Sequence, residues 1–249
     1  EGSIIGATTN TDSYSGESPF KPRIQDKATP KLAVQLSEGS TSFDGTDDYI
    51  SIPAVSLGNP DTGWTVGVWA KSTDSGDDHI IFSNSSGGSI SSKYGITNQH
   101  IWFSIYADQG SGATWTNYEA STPNVLDGQW HYLTWVMETD STDRISMYVD
   151  GSLVDADNSL GDSTGGQINA IGRGHNFTDA FQGELSNFAR YTTALTQNQI
   201  QKLMFTEKYS GLTSDLKTNL ISWYDLGSTS LGSELVTNGD CSSDSFSKE

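Results

Sequence analysis

From Leu32 onward the chain alternates apolar and polar side chains over short runs, each closed by glycine, asparagine, aspartate or serine. A two-residue period puts successive side chains on opposite sides of an extended backbone, so such runs bury their apolar half by pairing into sheets. WTVGVWAK (64–71) is the clearest, with Trp64, Val66 and Val68 on one face and Thr65, Gly67 and Trp69 on the other. LAVQL (32–36), TSF (41–43), YISI (49–52), HIIFS (79–83), HIWFSIYA (100–107) and TWTNYEA (114–120) read as further strands. So do INAIGR (168–173), FQGELSNFARY (181–191) and NLISWYDL (219–226). WHYLTWVM (130–137) and RISMYVD (144–150) flank the polar loop 138–143 as a hairpin. About ten to twelve strands at this spacing predict an all-β sandwich.

One segment carries helical signals instead. Thr196 is followed three residues later by Gln199, the reciprocal pair in which each side chain satisfies the other's free backbone N–H. Leu195 and Ile200 are placed to staple the entry, and Ile200, Leu203 and Met204 form an apolar stripe. The pattern predicts one short surface helix near 196–206. Residues 1–31 show no periodicity and read as an N-terminal arm or linker, 32–208 as the domain, and 209–249 as a C-terminal strand, a linker and the start of a further β module.

Charge narrows the partners. Thirteen basic against 31 acidic residues give a net charge of −18, which excludes a counterion-displacing nucleic-acid surface and attraction to anionic lipid. No apolar run approaches the roughly 20 residues of a membrane-spanning helix, so membrane insertion is not expected. Cys241 is the single cysteine, so no internal disulfide supports the fold. The start at Glu1, without a charged-then-apolar leader, is expected of a processed chain or of a piece of a longer one.

Seven segments, in order, resemble the laminin-G-like branch of the concanavalin A-like lectin/glucanase superfamily. They are SFDGTDDYISI (42–52), WTVGVWAK (64–71), DGQWHYLTWVM (127–137), ISMYVDGSLV (145–154), IGRG (171–174), FQGELSNFARYTTAL (181–195) and TQNQIQKLMF (196–205). The resemblance implies a two-sheet antiparallel jelly-roll sandwich. Within it Asp44-Gly45 and Asp150-Gly151 are turns, Trp130, Tyr132 and Val136 help fill the core, and Gly183 lets one strand pass close to another. The flanks KPRIQDKA (21–28), ISWYDLGS and ELVTNGDCSSD are similar in arrangement to structural proteins of tailed phages.

No catalytic residue is expected. Retaining glucanases of this fold carry E-x-D-x-x-E on one strand, and the nearest string, Glu138 to Asp143, ends in the wrong residue within a hairpin loop. The resemblance implies Ca²⁺ as the cofactor, with candidate ligands Asp44, Asp47 and Asp48, then Asp74, Asp77 and Asp78, and a third group of Asp155, Asp157 and Asn158. Aromatic faces and a planar amide mark a candidate glycan site at Trp102, Tyr106, Trp115, Asn117 and Tyr118. The functional expectation is a non-catalytic lectin-like module of a phage virion protein, on capsid or tail. Its partners would be other virion proteins, further copies of itself or a cell-surface glycan. The alternative is a carbohydrate-binding or adhesion module of a secreted bacterial protein.

Overall fold

The computed structural model describes residues 39–56, 63–76, 78–83, 91–108, 113–138, 144–157, 167–173, 179–227 and 236–237. All belong to one compact unit, Leu36–Glu249. The expected arm at 1–31, the strand expected at 32–36 and the loop 139–143 lie outside the described residues.

Two seven-stranded sheets make the sandwich. The first runs β1 (Thr41–Asp44), β12 (Gln182–Tyr191), β3 (Trp64–Lys71), β8 (His131–Glu138), β9 (Arg144–Val149) and β10 (Ser152–Asp157), with β13 (Leu220–Tyr224) also on β12. The second runs β14 (Val236–Thr237), β2 (Tyr49–Ser56), β11 (Gln167–Ile171), β4 (His79–Ser83), β5 (Ser91–Thr97), β6 (His100–Asp108) and β7 (Ala113–Glu119). Every pairing between these strands is antiparallel. The all-β two-sheet architecture expected from the period is therefore the one observed.

Interlocked rings join the sheets. Phe82 of β4 stacks on Tyr94 of β5 at 4.3 Å and meets Trp135 of β8 and Phe188 of β12 edge-on at 5.1 and 5.4 Å. Trp64 of β3 meets Tyr94 edge-on at 5.5 Å. Trp135 also donates its Nε1–H to the carbonyl of Trp102 at 2.8 Å, so its one polar group is satisfied across the core. Burying a large apolar side chain is worth about 1.5–3 kcal/mol, and these rings are 1% exposed or less.

The face of the first sheet turned away from this core is buried as well. Thr65, Trp69, Tyr132, Thr134, Val136 and Tyr191 are 2% exposed or less, yet they stand outside the inter-sheet cluster. Thus the core face of β8 is Leu133, Trp135 and Met137, and the expected core residues Tyr132 and Val136 lie on the opposite face. Helix α1 (Gln197–Met204), reached on this side through Thr65, buries Ile200, Leu203 and Met204. Thr196 caps the helix in the reciprocal arrangement read from the sequence. Gln197 and Gln201 both donate to the Gly151 carbonyl in the β9–β10 turn, at 2.9 and 3.1 Å. Thr65 Oγ1 of β3 donates to Thr193 O and accepts from Leu195 N–H, anchoring the approach to the helix.

β1 and β13 lie end to end on one edge of β12. Thr41 Oγ1 donates to Leu226 O at 2.9 Å, and Ser186 Oγ lies 2.9 Å from Gly39 O and 3.3 Å from Asp225 O. The chain therefore enters and leaves the first sheet at one place, over the irregularity in β12 between Ser186 and Ala189 where Asn187 takes φ 49°.

Candidate functional site

At the far end of β1 the chain turns through 44–48. Asp44 Oδ1 accepts the Thr46 and Asp47 N–H groups at 2.7 and 3.4 Å, and Asp48 Oδ2 accepts the Asp44 N–H at 3.0 Å. These local bonds are the reason an Asp-rich sequence makes a tight turn. They also gather charge. One oxygen from each of Asp44, Asp47 and Asp48 lies within 4.8 Å of the others. An all-oxygen donor set of this kind suits a hard cation such as Ca²⁺.

Register connects this turn to a cleft. Asp44 pairs with Gln182 at the start of β12, and Glu184 two residues on pairs with Lys71 at the end of β3. Between these strand ends and the segment after β3 opens a cleft of about 510 Å³, lined by Ser42, Phe43, Lys71, Asp74, Gln182 and Glu184 among others. Gly183 forms part of the lining, and a Cβ there would stand 2.3 Å from the Lys71 carbonyl oxygen. The close strand approach expected at this glycine is observed, and it leaves the flanking side chains free to line the opening.

The polar side chains here are held in place. Lys71 Nζ donates to Glu184 Oε1 at 2.8 Å, and Ser40 Oγ donates to Glu184 Oε2 at 2.6 Å. The Lys71 bond, then the Ser40 bond, hold the Glu184 carboxyl below the usual carboxylate range. Lys71 Nζ also sits 5.8 Å from the ring centroid of the half-buried Trp130. Asp74 Oδ1 accepts the Gly76 N–H at 3.1 Å, while its Oδ2 faces His79 Nδ1 at 3.7 Å.

The other residues named from the sequence are dispersed. Asp78 is half-buried and Asp77 lies outside the described residues; among these, only Asp44, Asp47 and Asp48 gather as a carboxylate trio. Asp155 and Asp157 stand on β10 rather than on a loop, Asp155 accepts the Ala156 N–H, and Asn158 lies outside the described residues. The aromatic set divides between two faces. Tyr118 is 7% exposed and stacks on Phe103 at 6.0 Å in the core, and Trp102 is 3% exposed, so neither offers a ring to a ligand. Asn117 is exposed and accepts the Ser104 hydroxyl at 2.6 Å. Tyr106 and Trp115 are backbone partners across β6 and β7, and their side chains lie outside the described residues.

Sequence reasoning missed Lys71, Trp130, Gln182 and Glu184. The signal within reach was Phe181-Gln182-Gly183, where a glycine forces close approach and lifts its polar neighbours into view. One parity signal was also present: Asn117 and Tyr118 are adjacent on a strand and cannot share a face.

Two facing antiparallel sheets, a helix on one outer face and a polar cleft at a sheet end define a lectin-type sandwich. The chain belongs to the concanavalin A-like lectin/glucanases superfamily, whose laminin-G-type family profile matches residues 44–201. No curated protein sequence matches it. Among solved structures it is similar to a Bacteroides ovatus protein assigned to carbohydrate binding, at 16% identity and a TM-score of 0.56. That likeness covers 79% of this chain and 53% of the other, so the chain spans about half of that relative. It is also similar to the CBM40 module of the Ruminococcus gnavus IT-sialidase, at 13% identity and a TM-score of 0.50, over 69% of this chain and 99% of the module.

Proposed function

We propose that this chain is a non-catalytic, glycan-recognising lectin-like module displayed on a virion structural protein, on capsid or tail. The observation that carries the glycan reading is the polar cleft at the β1–β12–β3 edge, beside the three-carboxylate turn. Sugar hydroxyls are recognised by a few oriented polar groups in a concave site, and this cleft supplies them from strand ends and the segment after β3. Ca²⁺ on Asp44, Asp47 and Asp48 belongs to the proposal, bracing the turn next to Gln182. The non-catalytic reading is supported by Glu138, the nearest analogue of a glucanase carboxylate, which is ion-paired with Arg144 across the β8–β9 hairpin. The virion placement is supported by the flanking segments and by a net charge that disfavours non-specific adhesion.

A glycan array probed with and without chelator, alongside thermal melts, tests the reading. Binding to at least one glycan class is expected, with a lower Tm in chelator; Ca²⁺ at a hundred times its Kd stabilises by about 2.7 kcal/mol. A blank array overturns glycan recognition, and superimposable melts overturn the calcium site. Copurification with particles supports the virion setting, whereas recovery with secreted bacterial material favours the adhesion-module alternative.

A further inference from the structure

The chemistry of the cleft narrows what it can hold. Its three charged lining groups are Lys71, Asp74 and Glu184, a net of one negative charge, and the Asp44, Asp47 and Asp48 carboxylates lie beside it. Even a divalent cation on the turn would leave this end of the sandwich net negative. An anionic ligand would meet repulsion from every side except Lys71, and Lys71 is already committed to Glu184 at 2.8 Å.

What the cleft offers instead is a set of fixed neutral-ligand contacts. Glu184 is held at both oxygens, by Lys71 and by Ser40, so its spare acceptor sites need no further ordering. Lys71 keeps two N–H donors beyond the one given to Glu184. Gln182 is exposed at the rim and carries both an amide donor and an acceptor. Donor and acceptor side by side match vicinal hydroxyls, each of which gives one hydrogen bond and receives another. The half-buried Trp130 ring, outside the lining, lies under the Lys71 ammonium and helps to fix it.

We infer that the cleft between Gln182, Glu184 and Lys71 is a binding site for an uncharged, hydroxyl-rich sugar residue, and that it discriminates against sialylated and sulfated glycans. The inference rests on the glycan reading above and adds the location and the ligand class. It places recognition on the β1–β12–β3 edge, not on the β6–β7 face where the aromatic residues of the sequence pointed.

The test uses the full chain on an array holding neutral hexose-terminated, sialylated and sulfated oligosaccharides, followed by titration of the best neutral binder. Gln182→Ala and Glu184→Gln are compared with the parent chain, with Asn117→Ala as a variant on the other face and melts to verify folding. The expected result is binding confined to neutral glycans, weakened about tenfold or more by Gln182→Ala and by Glu184→Gln, and unchanged by Asn117→Ala. Should Glu184→Gln fail to fold, Gln182→Ala, an exposed change, carries the test. Neutral binding that survives both cleft variants overturns the location while leaving glycan recognition standing. A preference for sialylated or sulfated glycans overturns the ligand class. An array blank for every class overturns the inference together with the reading on which it rests.

Discussion

Removing His131 should destabilise the protein in acid more than in base. The ring bridges two loops: Nδ1 lies 2.9 Å from Asp150 Oδ2 in the β9–β10 turn, and Nε2 lies 3.2 Å from Asp127 Oδ1 before β8. A carboxylate only accepts, so both contacts are hydrogen bonds only when the ring carries two protons. Burial pulls the ring toward its neutral form, but the bond and charge of Asp150, followed by those of Asp127, more than offset it and raise the pKa. The folded pKa thus exceeds the unfolded value of about 6.5, so the stabilisation is complete below about pH 6.5 and is lost as pH rises through the folded value. Sheltered bonds to charged groups are worth about 1.5–3 kcal/mol each. Here the ring is 14% exposed but its partners are 43% and 40% exposed, and solvent screening reduces the pair to about 1 kcal/mol in total. For a domain of this size that is about 2–4 °C in Tm. Melts of the parent and of His131→Phe between about pH 5.5 and pH 9 should show that gap in acid and a smaller one in base. A gap constant with pH, or one that widens toward base, would refute the reasoning, as would an imidazole titration at or below about 6.5.

Gly95→Ala should be far more damaging than a surface alanine. A Cβ there would lie 2.0 Å from the His79 carbonyl oxygen and 3.0 Å from Ile80 Cα, and backbone atoms cannot rotate away. A loss of about 3 kcal/mol or more is expected in urea melts, and a loss under about 1 kcal/mol would show that β4 and β5 separate easily. Thr196→Ala should cost about 1 kcal/mol by opening the reciprocal cap with Gln199, whereas Thr196→Asn should restore most of it. Equal melts for the alanine and asparagine variants would show that the cap carries no weight.

Local signals were legible and long-range ones were not. The β3 and β4 runs could be bounded from their period alone, and the helix start from the Thr196–Gln199 pair, because both depend on neighbours within four residues. The Asp150-Gly151 turn was equally local, and both residues take positive φ, at 51° and 72°. β5 escaped because SSKYGIT holds only Tyr94 and Ile96 as apolar signals among polar residues and a glycine. The burial of Tyr132 and Val136 on the outer face could not be seen in β8, since it depends on distant neighbours such as Trp69 of β3, whose ring lies 5.3 Å from that of Tyr132. The cleft was hidden for the same reason. Ser42, Lys71 and Gln182 meet only through the β1–β12 and β12–β3 registers, which no period encodes.

The shared doorway of β1 and β13 has a mechanical meaning. Because Gly39 and Asp225 both reach Ser186, and Thr41 grips Leu226, the two ends of this path through the first sheet emerge side by side. Tension entering from the segment before β1 would therefore meet the clasp first, loading a few bonds one after another in the manner of a zip, whereas on the other side β14, paired with β2 of the second sheet, stands ahead of it. Strands in the interior of the sheet would feel little of that pull until the clasp had opened. The cleft shares in that load, because Ser40, between the clasp residues Gly39 and Thr41, donates to Glu184 in its lining.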